Sequence, residues 1–166
     1  MSKRSPIGYS AMQIGLHWLI AALVVFQIVF GASMSEAVEA AEEGQQLSGT
    51  DAFLAGAHYW VGLSILGLVV VRLGLRVLRD APAATPQTSR LQALLAELSH
   101  WVFYVLLVAM PVTGLLALYV NENIGALHDF GKPAFILLIA AHLAATLFHQ
   151  FVLRDGTLKR MLLPAR

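Results

Sequence analysis

The sequence contains no cysteine and few charged residues. None of its 166 residues is Cys, and only 13% are Asp, Glu, Lys or Arg. The absence of cysteine excludes disulfide bonds, iron–sulfur clusters and thiolate ligation of a metal. With 58% hydrophobic residues and a mean hydropathy of +0.70, the chain is too apolar for a soluble domain of this size. We therefore expect it to lie in a lipid bilayer.

Motifs of several other functional classes are also absent. The chain has no internal repeat, no phosphate-binding glycine loop, no nucleophile motif and no nucleic-acid signature. The segments between its apolar runs are short, and proline occurs only in the middle one. These features favour a single domain that covers residues 1–166 and has no nucleic-acid partner.

Four long apolar runs are present, at residues 14–32, 53–71, 98–120 and 133–152. Each is close to the ~20 residues that a helix needs to cross about 30 Å of hydrocarbon. The runs are rich in Leu and Ala and lack the alternation of a membrane β-barrel. We predict an all-α fold, a transmembrane four-helix bundle. Its helices are expected at about residues 12–33, 52–78, 91–120 and 127–153.

The first run has an alternative interpretation as a cleaved secretory signal, because Lys3 and Arg4 precede it and small residues follow it. The run is longer than the ~7 to 15 residues of a typical signal core. It also contains His17, Trp18 and Gln27, which are unusual in such cores. We therefore interpret it as a permanent membrane helix.

The charges predict the orientation of the chain in the membrane. When the connecting segments are assigned alternately to two sides, ten of the eleven basic residues fall on one side and only Lys132 on the other. By the positive-inside rule, both termini and the middle segment are cytoplasmic, and the segments "SEAVEAAEEGQQLSGTD" and "NENIGALHDFGK" face outward. The outer side is acidic. Although the net charge of the chain is close to zero, its acidic and basic residues are therefore concentrated on opposite sides of the membrane. Its acidic residues are Glu36, Glu39, Glu42, Glu43, Asp51, Glu122 and Asp129.

Histidines occur at membrane depth. His128 lies at the mouth of a predicted helix, and the other five lie within predicted helices. These five are His17, His58, His100, His142 and His149. Ionisable side chains are costly at this depth, and they mark a functional site or have a partner. Because neutral imidazole is a good ligand for haem iron, haem binding is the leading hypothesis.

The spacing of the histidines predicts two pairs. His128 and His142 are fourteen residues apart, which on an α-helix is about 40° in azimuth and about 21 Å in depth. They therefore share a helix face at opposite leaflets. Counted from the predicted membrane surfaces, His58 matches the depth of His128, and His17 matches that of His142. The bundle is thus expected to enclose two b-type haems, although any one of these histidines, taken alone, could instead form a helix-to-helix hydrogen bond.

Three further residues have competing interpretations. His100 and His149 match these depths less well, so we expect helix-to-helix hydrogen bonds there, with a quinone site or a contact to a haem propionate as the functional alternative. Arg72 is the deepest of the arginines that follow the second run. It is predicted to pair with a propionate of the inner haem, the alternative being anchoring at the cytoplasmic surface.

Four segments together form a pattern: each contains histidine, and the second and fourth also contain arginine. They are "IGLHWLIAALVV", "HYWVGLSILGLVVVRLGLR", "SHWVFYVLLVAMPVTGLL" and "AAHLAATLFHQFVLRDGTLKRMLLP". In order and in histidine spacing they resemble the bacterial cytochrome b561 family over nearly the whole chain. The resemblance implies a multi-pass inner-membrane protein with two haem b groups. It implies iron ligation by His17 with His142 and by His58 with His128, in agreement with the pairing by depth.

The resemblance also implies an oxidoreductase. The best-understood activity of the family is oxidation of superoxide outside the membrane, with electrons passed through the haems to ubiquinone. Two features of this chain differ from that pattern. The segment between the third and fourth helices is short and the outer face is acidic, which repels a superoxide anion unless Lys132 offsets it. Pro133 follows His128 by five residues, so we expect an irregular turn at the start of the fourth helix, with Asp129 accepting a hydrogen bond from a ligand imidazole.

Two other functions stay open at this point. One is a haem b electron-transfer module that serves a periplasmic protein partner such as a cytochrome or dehydrogenase, since an acidic outer surface suits a basic carrier. The other is a helical protein without haem, such as a small transporter or an assembly factor. The number of haems bound per chain separates these two.

Overall fold

The computed structural model describes residues 8–78, 85 and 88–165. The described residues form six α-helices and no strand, which confirms the predicted all-α class. The helices are α1 (Ala11–Phe30), α2 (Ala32–Glu42), α3 (Gly49–Leu78), α4 (Arg90–Tyr119), α5 (Gly125–Phe148) and α6 (Thr157–Arg160). A 3₁₀ turn, Glu122–Ile124, precedes α5, and a π-helical turn, His149–Leu153, follows it.

Four helical segments are long and apolar enough to cross a membrane. They are α1, α3, α4 and the segment Glu122–Leu153, which contains α5. Many of their large apolar side chains point outward, with exposures of 74% for Val77 and 73% for Leu137. Such side chains are as apolar as lipid tails. The architecture therefore agrees with a transmembrane helical bundle.

Helices α1 and α4 begin in the same way. Ser10 Oγ accepts a hydrogen bond from the main-chain N–H of Gln13, and Gln13 Oε1 accepts one from the N–H of Ser10. Ser89 and Gln92 form the same reciprocal pair at the start of α4. These capping boxes satisfy N–H groups that have no partner within the helix. They define where two of the spanning helices start.

Helix α2 corrects the prediction for the first outer segment. Sequence analysis treats residues 35–51 as a connecting segment, but the structure has a helix from Ala32 to Glu42, directly after Gly31. Alanine and glutamate are strong helix formers, and α2 packs against α3. The acidic surface that the sequence predicts to face outward is therefore in large part helical.

The start of the fourth spanning segment corrects a second expectation. The irregular turn lies at Glu122–Ile124, before His128, and α5 continues through Pro133 without a break. Proline has no N–H to bond the carbonyl of Asp129. Membrane helices tolerate proline when they pack against neighbouring helices, and α5 packs against α4.

The centre of the bundle is a buried apolar cluster from α1, α3, α4 and α5. It consists of Ile20, Val24, Ile65, Val69, Tyr104, Leu107 and Phe135. Phe135 lies seven residues from His128 and seven from His142 along α5, or about 10 Å of helix rise in each direction. The cluster therefore separates the two predicted histidine pairs. The predicted cytoplasmic positions of Lys3, Arg4, Arg79 and Arg166 lie outside the described residues.

Candidate functional site

The first histidine pair joins α3 and α5 near the predicted outer side. The ring centroids of His58 and His128 are 6.2 Å apart, and the ring planes make an angle of 78°. An iron atom about 2 Å from one nitrogen of each ring places the two centroids about 6 Å apart. The spacing of this pair therefore fits a metal held between the two rings.

Helix α4 orients His128. The ring nitrogen Nδ1 donates to the main-chain carbonyl of Met110 at 2.9 Å, and Thr113 Oγ1 lies 3.4 Å from the same nitrogen. A carbonyl oxygen only accepts, so the proton of this ring lies on Nδ1. The lone pair of Nε2 is then available to a metal, and the Met110 carbonyl fixes the direction of the ring.

Two glycines make room for this arrangement. A Cβ atom on Gly114 would lie 3.1 Å from Cε1 and 3.2 Å from Nδ1 of His128. A Cβ atom on Gly131 would overlap the side chain of Met110. A larger residue at Gly114 would therefore crowd the His128 ring, and one at Gly131 would displace the Met110 side chain.

His58 is held through its main chain. Gln27 Nε2 on α1 donates to the carbonyl oxygen of His58 at 2.9 Å. Among the described residues, the ring nitrogen His58 Nδ1 is buried and has no hydrogen-bond partner. The helix thus positions this ring while one of its nitrogens lacks a partner within the protein.

Three histidines, rather than two, meet near the predicted inner side. The ring of His142 on α5 lies 6.5 Å from that of His17 on α1 and 5.8 Å from that of His100 on α4. Both centroid distances are close to the about 6 Å that a shared iron requires. Phe103 packs on the same ring at 5.4 Å. Sequence analysis pairs His17 with His142 but does not anticipate that His100 faces His142.

Arg72 on α3 lies beside His17. It donates to the carbonyl of Gln13 at 3.0 Å and contacts Nδ1 of His17 at 3.3 Å. Because a guanidinium group only donates, this Nδ1 accepts, and the proton of the ring lies on Nε2. Arg72 must therefore release His17 before Nε2 of that ring is able to bind iron. The residue predicted to contact the inner haem is thus in contact with one of the predicted ligands.

His100 forms its hydrogen bond within its own helix. Its Nδ1 donates to the carbonyl of Ala96 at 2.6 Å, which leaves the lone pair of Nε2 available. This replaces the helix-to-helix hydrogen bond expected from the sequence. One helical turn along α3 from Arg72, the guanidinium of Arg76 lies 5.8 Å from the ring of Trp101 and 5.9 Å from that of Tyr104, within the range of cation–π contacts.

The histidine pairs suit haem better than a bare metal ion. The described residues contain no group of three or more His, Cys, Asp or Glu side chains that could hold a metal ion. Haem supplies four ligands of its own and requires only the two axial ones from the protein. The centroid distances, the orientation of His128 and the unpartnered Nδ1 of His58 all fit axial ligation.

A known family combines these features. The family model described as prokaryotic cytochrome b561 matches residues 8–164. The chain belongs to this family. Membership identifies this b561 chain as a membrane electron-transfer haemoprotein of a prokaryotic type and implies that it binds b-type haem.

Named relatives cover nearly all of this b561 chain. Cytochrome b562 of Cereibacter sphaeroides is 36% identical over 163 residues, which is 95% of this chain and 96% of the relative. The probable superoxide oxidase CybB of Yersinia pestis is 28% identical over 176 residues, 93% of this chain and 95% of the relative. Cytochrome b561 homolog 1 of Escherichia coli is 26% identical over 176 residues, 93% of this chain and 96% of the relative.

His149 of this b561 chain belongs to a separate polar group just after the last residue of α5, on the predicted inner side. Its Nδ1 lies 2.5 Å from Oδ2 of Asp155, which also accepts from Thr85 Oγ1 at 3.0 Å. Burial raises the pKa of Asp155, but hydrogen bonds from His149 and Thr157 outweigh it and hold that pKa well below the usual range. His149 therefore pairs with a carboxylate beyond the π-helical turn, and not with a side chain of another spanning helix as expected.

Two contacts of this b561 chain differ from the sequence-based expectation for the outer pair. Asp129 is exposed, and the acceptor that His128 uses is the Met110 carbonyl. From the sequence, Gln27 is only a polar residue in an apolar run, yet it bonds the main chain of a predicted ligand. A glutamine at membrane depth ten residues after His17 is the signal that could have identified it.

Proposed function

We propose that this chain transfers electrons across the membrane between an outer donor, superoxide or a similar small molecule, and the quinone pool, by means of two bis-histidine b haems. The observation that supports this most directly is the placement of two histidine pairs, His58 with His128 and His17 with His142, at centroid distances of 6.2 Å and 6.5 Å. Each distance suits one iron, and the pairs lie on either side of the buried cluster.

The chain's residues hold the two haems in different ways. When bound, each haem supplies reversible one-electron chemistry at its iron. On the outer side, Met110 fixes the proton of His128 on Nδ1, so that Nε2 is ready to bind. On the inner side, Arg72 contacts His17 and would hold a propionate of a bound haem in place of that contact, which would leave His17 available and supply a cation beside the haem. Two histidines that held each haem iron would leave no position for oxygen, and the chemistry supplied would then be electron transfer without oxygen binding.

The proposed orientation follows from charge. Both termini are cytoplasmic, in a bacterial inner membrane, and the acidic helix α2 lies on the outer side. An acidic surface repels a superoxide anion, so the exposed Lys132, four residues from His128, is the group that offsets this locally. The 28% identity to the probable superoxide oxidase CybB supports this donor.

Quinone, with ubiquinone as the expected form, is proposed to react at the inner end. His100 and His149 are the candidate groups there, because His100 faces His142 at 5.8 Å and His149 is hydrogen-bonded to a carboxylate. Such a pair of residues is able to exchange protons with the inner aqueous side. The lipid-exposed surface of the bundle gives quinone access to this end.

A second candidate function is a module that receives electrons from, or gives them to, a periplasmic protein such as a cytochrome or dehydrogenase. The acidic face of α2, with Glu36, Glu39 and Glu42, favours it because opposite charges guide the encounter of redox proteins. The relative with 36% identity is named cytochrome b562, with no substrate in its name.

One experiment separates the two functions. Purified oxidised protein is mixed with superoxide, and haem reduction is followed with and without quinone; a His58→Ala variant is the control. The first function predicts fast reduction that slows as salt screens Lys132, reoxidation by quinone, and loss of the reaction in the variant. Slow, salt-insensitive reduction favours the protein partner. A stably folded protein that binds no haem overturns both functions.

A further inference from the structure

Two buried polar atoms without a partner belong to the same pair of residues. Within residues 8–78, 85 and 88–165 these atoms are Gln27 Oε1 and His58 Nδ1. The two residues are already joined, since Gln27 Nε2 donates to the carbonyl of His58 at 2.9 Å. A buried polar atom without a partner is costly. Here the Gln27 oxygen lacks a donor and the His58 ring nitrogen lacks a partner, and the two residues are already hydrogen-bonded to each other.

The backbone around this pair is adapted to it. A Cβ atom on Gly62 would lie 3.3 Å from Gln27 Nε2, and one on Gly31 would lie 3.6 Å from His58 Nδ1. The first distance is tighter than ordinary contact, so a side chain at Gly62 would push the amide of Gln27 away. The absence of a side chain at Gly62 thus lets the Gln27 amide approach the His58 carbonyl.

The Nδ1 atom of His58 lacks a hydrogen-bond partner, whereas that of His128 has one. A histidine that binds iron through Nε2 carries its proton on Nδ1, and that N–H almost always has an acceptor, which sets the ring orientation and the basicity of the ligand. The Met110 carbonyl is this acceptor for His128. For His58 the unpartnered oxygen of Gln27 is the matching group.

We propose that Gln27 is the positioning residue for His58: its Oε1 accepts the Nδ1–H of His58 through one bridging water. Such a water makes hydrogen bonds to both unpartnered atoms. The inference rests on the proposed ligation of the outer haem by His58. Gln27 then holds the ring with two contacts, one to the main chain and one to the side chain.

The proposal has a consequence for the outer haem. An acceptor on Nδ1–H increases the electron donation of the imidazole to iron and so favours the ferric form. Gln27 therefore lowers the reduction potential of the outer haem, which makes that haem the better donor to the inner one. Removal of the acceptor raises the potential.

The test is a redox titration of Gln27→Met, which has a similar length but no amide. We expect both haems to be retained, and the ferric-to-ferrous equilibrium of the outer haem to shift about tenfold toward the ferrous form, which is about 59 mV for one electron. The inner haem serves as the internal control. Gln27→Glu keeps a carboxyl oxygen as acceptor and should restore the potential to the original value or below. Gln45→Met, at an exposed glutamine bonded to Glu43, should change neither haem.

Each outcome either supports or overturns the proposed role of Gln27. An unchanged outer potential in Gln27→Met with haem bound overturns the inference, as does a potential in Gln27→Glu that rises as in Gln27→Met. Loss of the outer haem from Gln27→Met with retention in Gln27→Glu supports it, and loss from both overturns it. The ligation itself is tested separately with His58→Ala: if that variant keeps both haems, the proposed function fails and not only the role of Gln27.

Discussion

The Nδ1 atom of His128 on α5 donates a 2.9 Å hydrogen bond to the main-chain carbonyl of Met110 on α4. The acceptor belongs to the backbone, so no substitution of the Met110 side chain removes it directly. The bond depends instead on how closely α4 and α5 approach each other. At this contact Gly131 lies against the side chain of Met110, and Gly114 lies against the ring of His128.

Gly131→Ala should weaken the outer site without touching a ligand. Its Cβ would overlap the side chain of Met110, and overpacking of this kind costs about 1 to 3 kcal/mol. We expect a lower melting temperature and a lower occupancy of the outer haem, measured by haem absorbance per protein in detergent. Gly67→Ala is the matched control, because, apart from the nearby backbone of its own helix, no atom of the described residues lies within 4 Å of its Cβ. Equal behaviour of the two variants would contradict the role of the close approach.

Single substitutions of the inner histidines identify the ligands of the inner haem. His142→Ala and His17→Ala should each remove the inner haem and leave the outer one, since the protein then supplies one axial ligand instead of two. His100→Ala should retain both haems. Haem content and the low-spin spectrum of the ferric protein measure this. Loss of the inner haem from His100→Ala, with retention in His17→Ala, would show that His100 is the ligand opposite His142.

Arg72→Gln should lower the potential of the inner haem. The guanidinium contacts His17, and a nearby positive charge stabilises the reduced form of a haem by an amount on the order of 1 kcal/mol. A redox titration should show a shift of the inner haem to more negative potential, with the outer haem unchanged. Arg90→Gln, at an exposed arginine on the first turn of α4, is the control. A shift of equal size in the control would mean that Arg72 acts only as surface charge.

Asp155→Asn should destabilise the inner end of α5 in a pH-dependent way. The pKa of Asp155 is lowered in the folded chain by hydrogen bonds from His149 and Thr157, which outweigh its burial. A lowered pKa contributes stability above the ordinary Asp value of about 4, and this contribution is lost as the pH falls through the lowered value. Thermal unfolding should therefore show a cost of about 1.5 kcal/mol at pH 7.

Measuring the stability of the wild-type chain and Asp155→Asn at low pH tests whether the charge of Asp155 causes the difference. The difference between the wild-type chain and Asp155→Asn should shrink as the pH is lowered well below 4. Asp129→Asn, at an exposed carboxylate, should show little change at either pH. A difference for Asp155→Asn that is constant with pH would assign its effect to shape and not to charge.

The sequence predicts the parts of this molecule that depend on local pattern. Apolar run lengths predict the spanning helices, and the fourteen-residue spacing from His128 to His142 places these two histidines on either side of the central cluster. The sequence does not predict helix α2, because an acidic segment between two apolar runs is typical of a connection, although its Ala and Glu content favours a helix.

The remaining contacts depend on how helices rotate and pack against each other. His100 faces His142, and Met110 meets His128, only because of the relative rotation of α4 and α5. No spacing within one helix determines that rotation. The pairing of Gln27 with His58 joins α1 and α3 for the same reason. Such contacts follow from packing and are not present in a one-dimensional pattern.

The position of Phe135 between His128 and His142 sets an energetic condition on turnover. With the proposed orientation, an electron that passes the buried cluster moves toward the negative side of an energised membrane. The work is about 2.3 kcal/mol for each 100 mV across the full membrane. In an intact cell, the proposed inward electron transfer would then be sensitive to voltage. It would be slower across a polarised membrane than across a depolarised one.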